Sequence, residues 1–440
     1  MRDASKHKNL LKAEPHFIWV LAPQLETEDP NLKHYYDFDA NIAEFTKAFA
    51  ELKMQWKWQY VTINNFKSII DYIAESANGH IPVIFNLCDG DEVNGAPGLS
   101  VIKYLQEKEL IYTGAREVYY YLTTSKITMK QAFDKARIPT APWLSITNAG
   151  QNLKGFCKKT GTPLIVKPAV SGGSMGLGVK NVVNNDEELS NLVHELYHGY
   201  HGWDFTFGGL VAEKFITGPE FTTFVVGSYD QPGQAIIYQP VERIFNKRLP
   251  EHEKFLSFDR LWETYEDEKP CGNGVYEDFY NYYKPDSSLH DALCKITWDA
   301  FCAVEGTGYG RIDIRMDKET GKLFILEVNA QCGLSEDENH TSIGAMVRLG
   351  KHGFSHMVGA ILENSLLTKI KPAVVKSSDF KGEKTSKDDA YVEYVAKNNV
   401  LLTIEKIRSK SPILKEMEDK GELKIIGAYY DINTGEVIFL

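Results

Sequence analysis

In Gly310-Arg311-Ile312-Asp313-Ile314 and Leu323-Phe324-Ile325-Leu326-Glu327-Val328-Asn329, charged and amide side chains recur at every second position among aliphatic ones. Period two belongs to strands, so Arg311 and Asp313 share one face and Glu327 and Asn329 share another. The intervening Asp317-Lys318-Glu319-Thr320-Gly321 reads as a hairpin turn. If the two strands pair, one patch carries a guanidinium, two carboxylates and an amide carbonyl. Oxygen ligands of this kind suit Mg²⁺, with phosphate oxygens completing the octahedron. A surface salt-bridge ladder would use the same residues, but it explains poorly why they lie within apolar strands. Upstream, Lys167-Pro168 leads into Ser171-Gly172-Gly173-Ser174-Met175-Gly176-Leu177-Gly178. Glycines and serines at this density can form a nest whose N–H groups wrap phosphate oxygens. No Gly-Lys-Ser/Thr follows, so this is not a Walker A loop, and a tight β-hairpin turn is the alternative. Glu213 ends the apolar run Leu210-Val211-Ala212, with Glu220 downstream. Backbone groups at such a strand end can read an adenine edge while a carboxylate holds ribose hydroxyls.

Two other clusters have chemical potential. His194-Glu195-Leu196-Tyr197-His198 matches H-E-x-x-H, with His201 nearby. On a helix the two histidines would share a face and could bind Zn²⁺. Position 204 is Asp, so no extended His-rich form follows, and a solvated helix end before Gly202 is the other reading. Cys332, just after Asn329, is either a reactive thiol or a buried structural one.

These residues need a frame. His16–Ala22, Gln59–Ile63 and Pro82–Leu87 read as strands alternating with helices over Asn41–Leu52, Phe66–Ala74 and Leu99–Lys108. That alternation specifies an α/β layer with a parallel sheet, and ligands sit beyond the carboxyl ends of such strands, here at Asp89–Gly98. Ser125–Ala136 reads as a helix, Leu164–Pro168 and Val179–Val182 as strands around the glycine loop, and Asp186–Leu196 as a helix. Leu210–Phe215 is a strand, and Glu220–Val226 and Gln234–Gln239 read as antiparallel neighbours. Ser288–Thr307 reads as a long helix and Ile343–Leu362 as mostly helical. Lys369–Asp389 is charge-rich and reads as a linker. Beyond it Val400–Ile404 reads as a strand, Ser411–Lys420 as a short helix, and Leu423–Tyr430 and Val437–Leu440 as strands around Asn433-Thr434-Gly435.

The 440 residues give room for roughly three domains. With 43% hydrophobic and 12% aromatic residues the chain can build sizeable cores. No run reaches the roughly 18 apolar residues of a membrane span, and Met1–Leu11 is too polar for a signal peptide, which points to a cytoplasmic protein. Forty-nine Lys+Arg against 60 Asp+Glu give net charge −11, which disfavours a nucleic-acid partner but leaves room for a local cationic pocket. Six cysteines (88, 157, 271, 294, 302, 332) form no CxxC pair, in keeping with a reducing compartment.

In this order, Lys167-Pro168 with its Gly/Ser loop, Glu213-Lys214-Phe215-Ile216-Thr217-Gly218-Pro219-Glu220, Gly310–Asp313 and Glu327-Val328-Asn329 resemble the ATP-grasp superfamily, and within it the D-alanine–D-alanine ligase branch. The likeness runs from about Val83 to Leu362. It implies an ATP-grasp fold: a preATP-grasp α/β domain (14–124), central (125–208) and catalytic (209–366) α+β subdomains clasping ATP, a linker (367–389) and a small αβ appendage (390–440). It further implies that Lys126 and Lys167 contact ATP phosphates and that Ser171, Gly172, Gly173, Ser174 and Gly176 close over them. Glu213 would accept from the adenine amino group, Lys214, Phe215 and Ile216 would offer backbone contacts, and Glu220 would hold ribose. Asp313, Glu327 and Asn329 would bind two Mg²⁺, for which Mn²⁺ could substitute. Arg311 would stabilise the transferring phosphoryl group, and Gly333 would supply an oxyanion-stabilising N–H. The implied reaction activates a carboxylate as an acyl-phosphate and passes it to an amine, with ADP and phosphate released. Tyr276–Tyr283 resembles the family's aromatic covering loop.

The departures concern substrate. Where the family has His-Gly in its first-domain loop, this chain has Cys88-Asp89-Gly90. After Asn329 it has Ala330-Gln331-Cys332-Gly333-Leu334-Ser335-Glu336-Asp337-Glu338, whose acidic trio would repel a free D-alanine carboxylate. The family's N-terminal glycine loop is replaced by the acidic, aromatic Leu21–Tyr36. The expectation is therefore a ligase for another amino acid, small peptide or amine, with D-alanine–D-alanine ligase, a small-carboxylate kinase and a nucleotide-binding scaffold as alternatives. Tyr391–Leu440 resembles the C-terminal end of β-class carbonic anhydrases, without a counterpart of their zinc ligands. That end piece could pack in cis or dock on a second copy, giving a homodimer, or on a β-class carbonic anhydrase.

Overall fold

The computed structural model describes residues 16–27, 37–76, 79–93, 95–199, 206–261, 268, 279–385, 388–431 and 434–440. His201, Cys271, Asn433, residues 28–36 and residues 276–278 of the aromatic stretch lie outside them. Contacts divide the chain into two units, Met1–Asn364 and Ser365–Leu440.

The first sheet of unit 1 comprises β1 (His16–Pro23), β2 (Gln55–Val61), β3 (Ile81–Asn86) and β4 (Ile111–Tyr112), ordered β2-β1-β3-β4 with every pair parallel. This is the expected α/β layer. Helices Phe66–Glu75 and Leu99–Glu107 bury Phe66, Ile70, Val101 and Leu105 against Leu21, Val61 and Ile84. β2 begins earlier than the expected Gln59 because Lys53, left-handed at φ 57°, stops helix Asp39–Leu52 and turns the chain at once.

The second sheet comprises β5 (Trp143–Ile146), β6 (Leu164–Pro168), β7 (Val182–Val183) and β8 (Leu210–Lys214), ordered β5-β8-β6-β7 and antiparallel. Helix Asp186–Leu196, capped by Asn185, covers it with Leu189, Leu192 and Val193. The strand expected over Val179–Val182 is a single 3₁₀ turn, Val179–Asn181, before the short β7. The buried Asn181 side chain explains this, since it accepts from Gly178 N–H at 3.0 Å and donates to the Val166 and Gly176 carbonyls at 2.8 and 2.7 Å.

The third sheet contains β9 (Glu220–Ser228), β10 (Ile236–Ile237), β11 (Val241–Phe245), β12 (Tyr280–Tyr283), β13 (Thr307–Met316) and β14 (Leu323–Ala330). Its order is β12-β11-β9-β13-β14, with β10 beside β9 and all pairs antiparallel. Helices Glu117–Thr124, Lys126–Ala136 and His290–Ala303 bury Tyr119, Met129, Phe133 and Phe301 against Phe221, Val225, Ile312 and Ile314. The helix expected to reach Thr307 stops at Ala303, where Glu305 turns left-handed at φ 55° and Gly306 N–H closes onto Phe301 O at 2.8 Å. Thr307 then opens β13. Gly308 (φ +73°) lets this strand approach the Gly114 carbonyl, which an added Cβ would meet at 2.2 Å. Gly308→Ala should therefore cost about 2–3 kcal/mol in denaturant melts, and an unchanged midpoint would show that the approach is dispensable.

In unit 2, helix Asp389–Lys410 replaces the strand expected over Val400–Ile404. Asp388 caps it by accepting from Ala390 and Tyr391 N–H, and Ile404 packs beside Gly427, so context outweighs the β-branched run. Residues 369–376, read as linker from their charge, instead continue helix Phe354–Lys376, which carries Pro372 in its interior. Helix Pro412–Asp419 and the hairpin of β15 (Ala428–Tyr430) and β16 (Val437–Phe439) complete the unit. Arg408 grips Glu418 with two bonds of 2.6 and 2.7 Å. Among the described residues no helix is long and apolar enough to cross a membrane.

Candidate functional site

Every singled-out site residue except Gly176 borders one cavity of about 640 Å³ in unit 1. At one end lies the expected strand pair. Arg311 stands opposite Asn329 and Asp313 opposite Glu327, and a register shift after Asp313 leaves Leu326 bulged towards the cavity wall. Asn329 Nδ2 donates to Asp313 Oδ2 at 3.0 Å and to Glu327 Oε1 at 3.3 Å. Thr222 Oγ1 donates to Asp313 Oδ1 at 2.9 Å, and Arg311 Nη2 lies 3.0 Å from Asp313 Oδ2. Two carboxylates and an amide are thus gathered on adjacent strands, and turning the amide would aim its oxygen where its nitrogen now points. That donor chemistry fits Mg²⁺.

Above this patch stand the lysines. Ser125 caps helix Lys126–Ala136, which puts Lys126 on the first turn, its Nζ 3.2 Å from Ser171 O and 4.0 Å from Glu327 Oε2. Burial holds its pKa below the usual lysine value, against the pull of Glu327. Lys167 Nζ pairs with Glu213 Oε1 at 2.7 Å, and Lys130, one helical turn beyond Lys126, takes the other Glu213 oxygen. Burial would push the Glu213 carboxyl up, but the two lysines outweigh it and hold it at about 2. The same contact keeps Lys167 above its ordinary value despite burial. The glycine loop bends through left-handed Gly173, Ser174 and Gly176, with Gly176 behind the lining. Its far end is pinned where Phe258 N–H reaches Leu177 O at 2.7 Å and Glu268 receives both Val179 N–H and Ser257 Oγ.

A further wall of the cavity is built from the end of β8. Lys214 N–H donates to Pro142 O and Phe215 N–H to Pro163 O, both at 2.9 Å. In an antiparallel ladder each partner would return a bond, but proline has no N–H. Glu220 has both oxygens on arginines, Arg243 and Arg315, and Arg243 Nη2 also donates to Tyr282 Oη at 2.8 Å.

At the remaining end Gly333 faces open space, and burial pushes the Cys332 thiol up to about 12 against the Arg311 charge, which favours the structural reading of that cysteine. Asp89 opens onto the cavity beyond β3 and pairs with no cation among the described residues. The acidic trio stands off the lining. Glu336 pairs with Lys47 at 2.9 Å, Asp337 with His340 at 2.8 Å and Glu338 with Arg348 at 3.8 Å, while His340, Thr341 and Ser342 border the cavity. The expected repulsion of a substrate carboxylate thus loses its geometric basis. In the H-E-x-x-H segment the two imidazoles stack at 4.3 Å, His198 Nδ1 sits on the His194 carbonyl, and Glu195 pairs with Lys180.

Lys130, Arg243 and Arg315 were not singled out from the sequence. Lys130 had a signal in its four-residue spacing from Lys126, and Arg315 in continuing the alternation of Arg311 and Asp313. Arg243 meets Glu220 only through the β9–β11 register.

A family model described as "D-ala D-ala ligase C-terminus" matches residues 132–358, just over half of the chain. A second, described as "Carbonic anhydrase", matches residues 338–437. Among solved structures, the chain is similar to the D-alanine–D-alanine ligase of Bacillus anthracis complexed with ATP, at 16% identity and TM-score 0.53 over 81% of this chain and 99% of that one. It is also similar to the D-alanine–D-alanine ligase of Coxiella burnetii, at 15% identity and TM-score 0.55 over 82% and 98%. D-alanyl-alanine synthetase A of Vibrio cholerae matches at 15% identity and TM-score 0.56 over 80% and 99%. At these identities the likeness establishes the ATP-grasp fold, and the matched family model carries the assignment. The chain belongs to the D-alanine–D-alanine ligase family of ATP-grasp carboxylate–amine ligases, with a C-terminal region that matches the carbonic anhydrase model.

Proposed function

We propose that the chain uses ATP and Mg²⁺ to join two amino acids, with D-alanine as both donor and acceptor. The observation that carries the reading is the shared cavity in which Arg311, Asp313, Glu327 and Asn329 face Lys126 and Lys167. Asp313, Glu327 and Asn329 would hold the metal, which when bound supplies positive charge against phosphate oxygens. Lys126 and Lys167 bind those oxygens, and the Ser171–Gly176 loop excludes water from them. The donor carboxylate oxygen bonds to the γ-phosphorus as its bond to the ADP oxygen breaks, and Arg311 takes up the charge that develops on the phosphoryl oxygens. The acceptor nitrogen then bonds to the acyl carbon, the Gly333 N–H receives the oxyanion, phosphate leaves and the nitrogen gives up its proton. Positioned charge of this kind is the main resource of phosphoryl-transfer sites.

D-alanine is favoured by the family to which the chain belongs and by the retreat of Glu336, Asp337 and Glu338 from the lining. A second reading, another amino acid or small peptide, is favoured by Asp89, a carboxylate on the cavity with no cation beside it among the described residues and suited to a further ammonium group. The deciding measurement is ADP release from Mg-ATP with D-alanine, other amino acids, dipeptides and polyamines, singly and in pairs, with product masses and Asp313→Ala as blank. D-alanyl-D-alanine from D-alanine alone is the expected result. A condensed product from another pair would move the assignment to the second reading, and no ADP from any pair would refute the ligase.

A further inference from the structure

The end of β8 presents a hydrogen-bonding pattern that a nucleobase can read. Because residues 142 and 163 are prolines, the Lys214 and Phe215 carbonyls face ladder partners that cannot donate to them. Ile216 N–H makes no hydrogen bond among the described residues, whereas its carbonyl accepts from Arg315 Nη1 at 3.2 Å. The segment therefore offers acceptors at 214 and 215 and a donor at 216, and the acceptor at 216 is taken. A 6-aminopurine brings an amino donor beside a ring-nitrogen acceptor and meets this pattern. A 6-oxopurine brings an acceptor beside a ring N–H and meets its reverse.

We propose that Arg315 is the positioning residue that makes the site choose 6-amino- over 6-oxopurine nucleotides, a proposal that rests on the nucleotide reading above. Arg315 is 3% exposed and anchored on three sides. Besides Ile216 O, it donates to Lys254 O at 2.6 Å and pairs with Glu220, while its guanidinium lies 5.1 Å from the centre of the Phe215 ring. These bonds tie the base-reading segment to the start of β9 and to the loop at Lys254. Without the guanidinium the Ile216 carbonyl loses its donor and becomes a free acceptor beside the Ile216 N–H. A free acceptor there can take the ring N–H of a 6-oxopurine while the Ile216 N–H donates to the oxo group, so the segment no longer excludes that base.

The test is equilibrium competition of ATP and GTP against a fluorescent ATP analogue on the full chain, with kcat and KM measured alongside. The wild type should prefer ATP by about 100-fold or more, because a mismatched base leaves buried polar groups unpaired. Arg315→Met should reduce that preference by about ten-fold or more through binding and KM, with kcat changed less. Arg315→Lys reaches one acceptor at a time and should recover part of the preference. Arg315→Lys also decides alone if the Met variant does not fold. If the variants weaken both nucleotides by one factor and keep the preference, Arg315 is structural only and the proposal is wrong. A wild type that binds both equally also overturns it, while one that binds neither removes the nucleotide reading and this inference together.

Discussion

Arg311→Met is expected to lower kcat by about 10³-fold while nucleotide affinity falls by less than about ten-fold. The split follows from the geometry. Arg311 borders the cavity beside Asp313, which holds its guanidinium at 3.0 Å, so its charge is fixed in place before any substrate arrives. A charge fixed in advance needs no reorganisation when phosphoryl charge develops, and for that reason it acts on the transition state more than on binding. Lys126, Lys167 and the glycine loop, the proposed phosphate contacts, remain in the variant. Single-turnover ADP formation at saturating Mg-ATP, paired with nucleotide competition, separates the two quantities. A variant that keeps more than about a tenth of wild-type kcat would remove Arg311 from the mechanism.

Lys130→Met is expected to destabilise the protein by about 3–5 kcal/mol, since it leaves a buried carboxylate with one cation instead of two. Lys130 is 1% exposed and Glu213 also 1%, so water cannot replace the lost partner. Lys130 also donates to Thr140 Oγ1 at 2.7 Å, which fixes its ammonium from the far side. The double variant Lys130→Met/Glu213→Gln, which removes the charge as well, should recover part of the loss. The pH dependence has a definite sign. Glu213 titrates at about 2 in the folded chain against its ordinary 4.5, so its stabilisation is complete above 4.5 and is lost as pH falls towards 2. The variant should lose less in that window. Urea melts at neutral pH and near pH 3 give both answers, and a single variant within about 1 kcal/mol of wild type would mean that Lys130 carries no such load.

The legible part of this protein was the part whose chemistry is spaced at the period of its own element. Arg311, Asp313, Glu327 and Asn329 alternate with aliphatic residues, so strand geometry alone puts them on shared faces, and the hairpin turn between them sets their partnership. The parallel sheet was legible from alternation of strand and helix in the same way. What remained hidden depends on contacts between distant segments. Arg243 reaches Glu220 only through register, and Lys130 matters only because the second sheet brings Glu213 to it. Glu336, Asp337 and Glu338 follow the site directly in sequence, but the chain turns them towards Lys47, His340 and Arg348, a turn that sequence order does not reveal. Val400–Ile404 reads as a strand by composition but lies in a helix, because a β-branched run weighs little against a capped helix.

The strand order of the third sheet also governs how the chain can be made. β9 pairs on one side with β13, whose first residue, Thr307, is joined to Ser228. All nine residues of β9 are buried, so until Thr307 and its successors have emerged from the ribosome, a water-averse strand waits with an open edge. The intervening residues must be synthesised during that wait, at about 5–20 residues per second. The hazard for this protein is therefore one of timing: β9 is most open during translation, before β13, the strand that carries Arg311 and Asp313, exists.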